Sequence, residues 1–330
     1  MNEASIDLIG VGSPLVDLLA RVEDSFLATI EGEKGGMVLV GSDELGAILA
    51  RVPGRIEETP GGAASNTTFA SARLGLRTAF VGKVGNDPLS AYFAESFARA
   101  GGDSSRLIHG DVANGQCLSL ITPDGARTMR THLGAAATLD PAEITPEAFR
   151  GARHAHIEGY LLFNDSLMQA VLEAAKAAGC TVSLDLGSFE VVRAAGERLR
   201  GILRDHVDIV FANEDEAAAL LGYEDDFEAM ARALAGYCPL AALKMGARGS
   251  LVASREGALA RIAPVPAAEV IDTTAAGDFW AAGFLSGWLR GKDLATCGHY
   301  GSFVAAEVVQ VVGTVLPASR WPVIEAEFAR

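Results

Sequence analysis

Seven residues, Asp272-Thr273-Thr274-Ala275-Ala276-Gly277-Asp278, lead into an apolar stretch in which Phe279, Trp280, Phe284, Leu285, Trp288 and Leu289 recur at helical spacing. A helix that begins at Ala275–Gly277 leaves its first backbone N–H groups without partners and aims them at one point. Those donors and the helix dipole attract an anion there. Side chains of one carbon or none let a phosphate approach the backbone. Asp278 falls in the first turn, where the dipole is expected to keep its carboxylate ionised near neutral pH. A carboxylate beside an anion cradle repels phosphate, so its expected task is to face the incoming nucleophile. Donors for a transferred group and a carboxylate to accept a hydroxyl proton are what phosphoryl transfer needs. The same residues also suit an ordinary capped helix behind a tight turn.

Other stretches carry comparable alternatives. In Pro60-Gly61-Gly62-Ala63-Ala64-Ser65-Asn66, two glycines let the backbone come close to a polyhydroxy ligand, and the Asn66 amide can donate and accept. The stretch also reads as a plain helix start. Asp17 follows the turn Gly12-Ser13-Pro14 in apolar surroundings, fit either to cap local backbone or to bind vicinal hydroxyls. Asn213 and Glu216 follow a strand and share a helix face. They suit a metal-bound water or a helix cap with first-turn acids. Lys244-Met245-Gly246-Ala247-Arg248-Gly249-Ser250 ends another strand in a glycine-bracketed loop that can lie along a nucleotide or simply turn the chain. Arg127, after the turn Pro123-Asp124-Gly125, is placed to neutralise phosphate from a closing flap, or to be an ordinary surface arginine. His154, His156 and Glu158 alternate on a strand, a pattern that fits satisfied core histidines better than a metal site. Asp225-Asp226 reads as a solvated loop.

These residues need a scaffold, and the chain supplies strand–helix alternation. Strands are expected at 6–11, 15–22, 37–40 and 78–82, with a helix over 42–51 capped by Ser42. Further helices are expected from the Pro60 motif to Gly75 and over 87–100. Residues 106–133 change to hairpin grammar, with turns at Asn114-Gly115 and Pro123-Asp124-Gly125, and read as a small accessory sheet. From 153 the alternation is regular. Strands are expected at 153–157, 181–185, 207–211 and 240–244, then a hairpin of 250–253 with 258–262. Helices are expected at 164–178, 189–200, 213–221, 226–236, 275–289, 293–310 and 318–329. Apolar strands between helices imply a mostly parallel sheet covered on both faces, with a ligand beyond the carboxyl ends of its strands.

The 330 residues fit one large α/β domain, and 49% hydrophobic content suffices for a core. A formal charge of −15 argues against a nucleic-acid partner. Cys117, Cys180, Cys238 and Cys297 form no CxxC pair, which fits free thiols in a reducing compartment. The polar Met1–Ser5 start reads as neither signal peptide nor membrane span, so a cytoplasmic protein with no membrane partner is expected. No G-x-x-x-x-G-K-[ST] occurs. Gly10-Val11-Gly12 is followed by Pro14 and Leu15 instead of dinucleotide glycine spacing, which speaks against a dehydrogenase.

Taken in order, Asp17, Gly61-Gly62…Asn66, Asn213…Glu216, Lys244…Gly249 and Asp272…Asp278 resemble the ribokinase-like (PfkB) family of sugar and nucleoside kinases over nearly the whole chain. The resemblance implies a three-layer α/β/α sandwich with a mostly parallel central sheet. It also implies a single kinase domain over 1–330, with a β-sheet lid from about 13–60 and 107–133. By the same resemblance Asp278 is the base, and the backbone of Ala275, Ala276, Gly277 and Asp278 forms the anion hole. Arg127 contacts phosphate, while Asp17, Ser13, Gly61, Gly62 and Asn66 hold the substrate. Lys244, Gly246, Gly249 and Asn213 line the ATP site, and Asn213 and Glu216 organise Mg²⁺ through water. Asp272, Thr274 and Gly313 resemble a monovalent-cation (K⁺) loop. Two departures stand out: Ala275 replaces a usual glycine, and Val311-Val312 replace the basic residues many sugar kinases carry before the glycine. Gly12-Ser13-Pro14-Leu15-Val16-Asp17, Thr131–Ala135 and Gly313–Pro317 resemble the adenosine kinase branch, with Ser13 where that branch has asparagine. The expected function is ATP-dependent transfer of a γ-phosphate to a primary hydroxyl of a sugar or nucleoside, by a monomer or a homodimer formed through the lid. The alternative is a non-catalytic sugar- or nucleoside-binding protein on the same fold.

Overall fold

The computed structural model describes residues 6–223 and 226–329, so the readings of Met1–Ser5 and Asp225 lie outside the described residues. Eight strands form the main sheet in the order Leu259–Ile262, Ser250–Ser254, Leu240–Lys244, Ile209–Asn213, Thr181–Asp185, Ala152–Glu158, Ile6–Val11, Thr78–Val81. The six from Leu240–Lys244 to Thr78–Val81 are mutually parallel, and Ser250–Ser254 pairs antiparallel with both of its neighbours. The parallel strands are apolar on both faces because helices cover both. Four of them end in residues that are not apolar. Glu158, Asp185, Asn213 and Lys244 end four adjacent strands, with Glu158 opposite Asp185 and Asn213 opposite Lys244 in the register. One edge of the sheet is thereby lined with polar groups where the open α/β rule puts the ligand.

A second sheet of five strands has the order Met37–Leu39, Arg127–His132, Gly115–Ile121, Leu15–Arg21, Ile56–Gly61. Four of these strands match expected ones. Ile56–Gly61 does not; Glu57-Glu58-Thr59 gives it little apolar signal, and it lies at the sheet edge, exposed at Glu57 and Glu58. This sheet packs its inner face on a core of its own that includes Val16, Leu18, Leu118 and Leu120, with Phe80, Phe93 and Phe97 beneath.

Three helix boundaries differ from expectation for local reasons. The 189–200 helix is two, Phe189–Ala195 and Glu197–His206, because Gly196 takes φ 53 between them. Gly41, not Ser42, is the extended N-cap of Ser42–Leu49, and no side chain caps it. The last helix starts at Trp321 with Pro322 in its first turn. Gly75, expected past the end of helix Ala63–Arg73, takes φ 83 there.

The strand histidines are buried and satisfied. His154 bonds Thr181 and Ser183 at 2.8 Å, and His156 bonds Ser183 at 2.8 Å. Burial lowers His156 to about 4 and holds His154 well below its ordinary value. An unfolded chain takes up these protons near pH 6.5 while the folded one does not. Their neutral burial therefore costs stability as pH falls from about 6.5 toward 4. His156→Gln is expected to gain stability relative to wild type over that window, on the order of 3 kcal/mol by its lower end. Paired urea titrations of the two proteins at each pH check this. The paired design matters because the raised carboxylates of the cleft act in the opposite sense.

Candidate active site

Between the carboxyl edge of the main sheet and the other face of the small sheet, which carries Leu15, Asp17, Cys117 and Met129, lies a cleft of about 1360 Å³. Its lining includes Ser13, Asp17, Gly62, Asn66, Arg127, Asn213, Glu216, Lys244, Gly246, Gly249, Thr274, Ala275, Ala276, Gly277 and Asp278. Chain positions far apart in sequence thus converge on one space. Gly61, Asp272 and Gly313 do not line it.

The 272–278 segment enters the helix Ala276–Trp288 through Ala275, the only non-glycine residue with positive φ among the described residues (φ 56, ψ 7). Trp280 anchors the helix below by stacking on Phe284 and donating to Ser302. The amides of Ala275, Gly277 and Asp278 have no protein acceptor among the described residues, whereas Ala276 N–H donates to the Thr273 carbonyl at 3.2 Å. Ala276 is therefore not a free donor of the expected anion hole. The tight 273–276 turn engages its N–H. An alanine in the left-handed region costs about 1–2 kcal/mol. Ala275→Gly is expected to stabilise the protein by about 0.5–1 kcal/mol after glycine's larger unfolded entropy is counted. A higher urea midpoint at unchanged slope is the readout.

Asp278 accepts a hydrogen bond from Asn66 Nδ2 at 2.9 Å, and its backbone carbonyl accepts from Thr67 Oγ1 at 3.1 Å. Helix Ala63–Arg73 thus orients the carboxylate directly. The dipole does not keep Asp278 acidic as expected. Burial and the nearby Asp185 carboxylate hold it well above the usual range, against the lowering contributions of Asn66 and Lys244. Asn66, expected at substrate hydroxyls, spends one amide hydrogen on Asp278.

On the lid side Asp17 is buried, and burial raises its carboxyl to about 6, moderated by Arg127. Gly61 serves Asp17 and not a ligand: a Cβ there would lie 2.2 Å from Asp17 Oδ1. Gly62, at φ 96, crosses the Ser13 carbonyl so closely that a Cβ would lie 2.1 Å from it. Ser13 N–H donates to Glu158 Oε1 at 2.9 Å, and Ala64 N–H donates to Glu158 Oε2 at 3.2 Å. Glu158 therefore ties the start of the lid to the start of helix Ala63–Arg73. Burial raises its carboxyl to about 7.

Asn213 and Glu216 form a reciprocal cap: Asn213 N–H and Nδ2 each donate at 2.8 Å to Glu216, and Glu216 N–H donates to Asn213 Oδ1 at 2.9 Å. Burial and Asp185 raise Glu216 to about 7. Lys244 Nζ donates to Asp185 Oδ2 at 2.7 Å. Gly246, at φ 52, has open space where a Cβ would be; Gly249, at φ 87, has the Ile262 carbonyl 2.1 Å away, so backbone packing fixes it.

Arg127 is no surface residue. Its Nη2 donates to Ser119 Oγ at 2.6 Å, its Nη1 lies 3.7 Å from Asp272 Oδ1, and its buried Nε has no partner. Asp272 also accepts from Thr274 N–H and Gly313 N–H at 2.9 Å each. These N–H groups and the Arg127 guanidinium engage both carboxylate oxygens of Asp272.

Two cleft residues escaped the sequence reading as functional groups: Asp185, a lone aspartate at a strand end with no motif around it, and Glu158, absorbed into the alternation with the histidines. Only their shared position as terminal strand residues could have marked them.

Residues 41–321 match the family described as pfkB family carbohydrate kinase. The adenosine kinase of Saccharomyces cerevisiae is 27% identical over 333 residues, covering 95% of this chain and 97% of that protein. The crystal structure of adenosine kinase from Sinorhizobium meliloti superimposes with a TM-score of 0.89 at 32% identity, covering 99% of this chain and 100% of that one. A probable sugar kinase from Rhizobium etli superimposes with a TM-score of 0.90 at 29% identity, covering 99% and 100%. With the family match spanning most of its length, this chain belongs to the pfkB family of carbohydrate kinases.

Proposed function

We propose that this kinase transfers the γ-phosphate of ATP to a primary hydroxyl of a nucleoside ribose, Asp278 acting as general base. The observation that carries the reading is the Asp278 carboxylate, held by Asn66 beside the free amides of Ala275, Gly277 and Asp278. Similarity to adenosine kinases supports the nucleoside, and similarity to a sugar kinase keeps a free sugar as the second reading. Met37, Leu39, Met129 and Leu133 on the lid side of the cleft supply the apolar surface a base would need.

In the proposed reaction Asp17 accepts hydrogen bonds from the ribose hydroxyls and fixes the acceptor in line. Asn66 holds one oxygen of Asp278, and the other takes the acceptor's proton as the phosphoryl group transfers. The free amides hold the transferring oxygens, and closing the lid excludes water. Gly246 and Gly249 line the space for the nucleotide. The cleft brings the carboxylates of Asp185, Glu216 and Asp278 against one ammonium, which suits a divalent cation; no group among the described residues could ligate it directly, so Asn213 and Glu216 would hold it through water. Mg²⁺, when bound, neutralises charge on the phosphates. No K⁺ is assigned.

The buried free cysteines suit a cytoplasmic setting. The edge strand Met37–Leu39, exposed at all three residues, is the surface a lid-mediated homodimer would use, and sedimentation distinguishes that from a monomer. The test of function is ADP release with a panel of nucleosides and free sugars. Turnover is expected to be at least about tenfold more efficient with a nucleoside, which is about 1.4 kcal/mol of discrimination. Turnover confined to free sugars would select the second reading.

A further inference from the structure

A triphosphate must enter a cleft whose lining holds Asp17, Glu158, Asp185, Glu214, Glu216 and Asp278. Among the described lining residues only Arg127 and Lys244 are basic. Arg127 belongs to the lid and leans toward Asp272. Lys244 belongs to the core, at the end of strand Leu240–Lys244. Its side chain is 13% exposed and that of its partner Asp185 8%. Burial pushes the Lys244 pKa down, but Asp185, then Glu216 and Asp278, hold it above the ordinary value. The ammonium has a definite place. A Cβ on Gly277 would lie 3.0 Å from Nζ, so the charge rests against the backbone of a residue whose amide is free.

We propose that Lys244 is a catalytic cation that completes the anion hole, and that Asp185 is the residue that positions it. This rests on the kinase reading above. The three amides supply partial charges only, while Lys244 adds a full one within reach of the same phosphoryl oxygens. It donates hydrogen bonds and keeps its protons. The acceptor oxygen–phosphorus bond forms as the β–γ bridge breaks, and the proton goes to Asp278. Gly277 leaves the ammonium its room, since a Cβ there would crowd Nζ at 3.0 Å.

A rival role is plain charge compensation, with Lys244 present only to neutralise buried Asp185. Two variants separate the roles. Lys244→Met is expected to lower kcat about 100-fold with acceptor KM within about threefold. The double variant Asp185→Asn with Lys244→Met removes both charges and the need for compensation, so it folds even if the single variant does not. It is expected to stay about 100-fold down in kcat. Calorimetry with a β,γ-methylene analogue of ATP should show binding at least tenfold weaker in the double variant, with ADP affected less. Recovery of near wild-type kcat, or unchanged affinity for the analogue, would overturn the assignment. If wild type turns over no acceptor, the kinase reading fails by itself, and the calorimetric comparison still decides whether Lys244 binds the terminal phosphate.

Discussion

Replacing Asp278 by asparagine is expected to lower kcat about a thousandfold while leaving both KM values within a few-fold. The substitution keeps size and leaves an oxygen to accept from Asn66 Nδ2, so the contact at 2.9 Å can persist. It removes only the ability to take a proton. The residual rate comes from the free amides and the held geometry, neither of which the change touches. The loss should therefore fall on kcat and kcat/KM equally, the signature of an interaction made in the transition state. Ionisation sharpens the expectation. Burial and the Asp185 charge raise the carboxyl of Asp278 well above its ordinary value. A base must be ionised, so kcat/KM should rise with pH along a limb above the usual carboxylate range, and that limb should vanish in the variant.

Asp17→Asn should have a different phenotype. Charge-assisted hydrogen bonds to hydroxyls contribute about 1.5–3 kcal/mol, so acceptor KM is expected to rise roughly 30-fold with ATP KM unchanged. The residue belongs to the small sheet, opposite Thr59 and Cys117 in its register, and Arg127 and Asp272 are near enough to act on its charge. Gly61→Ala should reproduce the effect without touching the carboxylate chemically, because its new Cβ would lie 2.2 Å from Asp17 Oδ1. Steady-state kinetics with each substrate varied in turn check both variants. A rise in ATP KM instead would place Asp17 at the nucleotide.

Much of this was legible in the sequence because the signals were local. Apolar strands alternating with helices gave the sheet, and the Pro123-Asp124-Gly125 turn gave the hairpin of Gly115–Ile121 with Arg127–His132; Asn114-Gly115 turns no hairpin, because Ile108–His109 pairs parallel with Lys83–Val84. What was not legible required groups to meet across the chain. Nothing near Asn66 announces that its amide holds Asp278, and nothing near Asp185 announces Lys244. The dipole argument for Asp278 considered one helix and missed burial and two carboxylates, Asp185 and Glu158, brought in by neighbouring elements. Nothing in the Asp272 motif announces that two backbone N–H groups and a guanidinium from the small sheet engage both of its carboxylate oxygens. Gly61 was read as an opening to a ligand and is an opening to a side chain.

The most direct measurement is acceptor-dependent ADP release by wild type and Asp278→Asn, run alongside thermal shift with the same nucleosides and sugars. The expected result is turnover by wild type and almost none by the variant, with the melting temperature of both raised by the same acceptor. An acceptor that stabilises wild type without ADP release would mean a binding protein on a kinase fold. Equal turnover by both proteins would remove Asp278 from the chemistry.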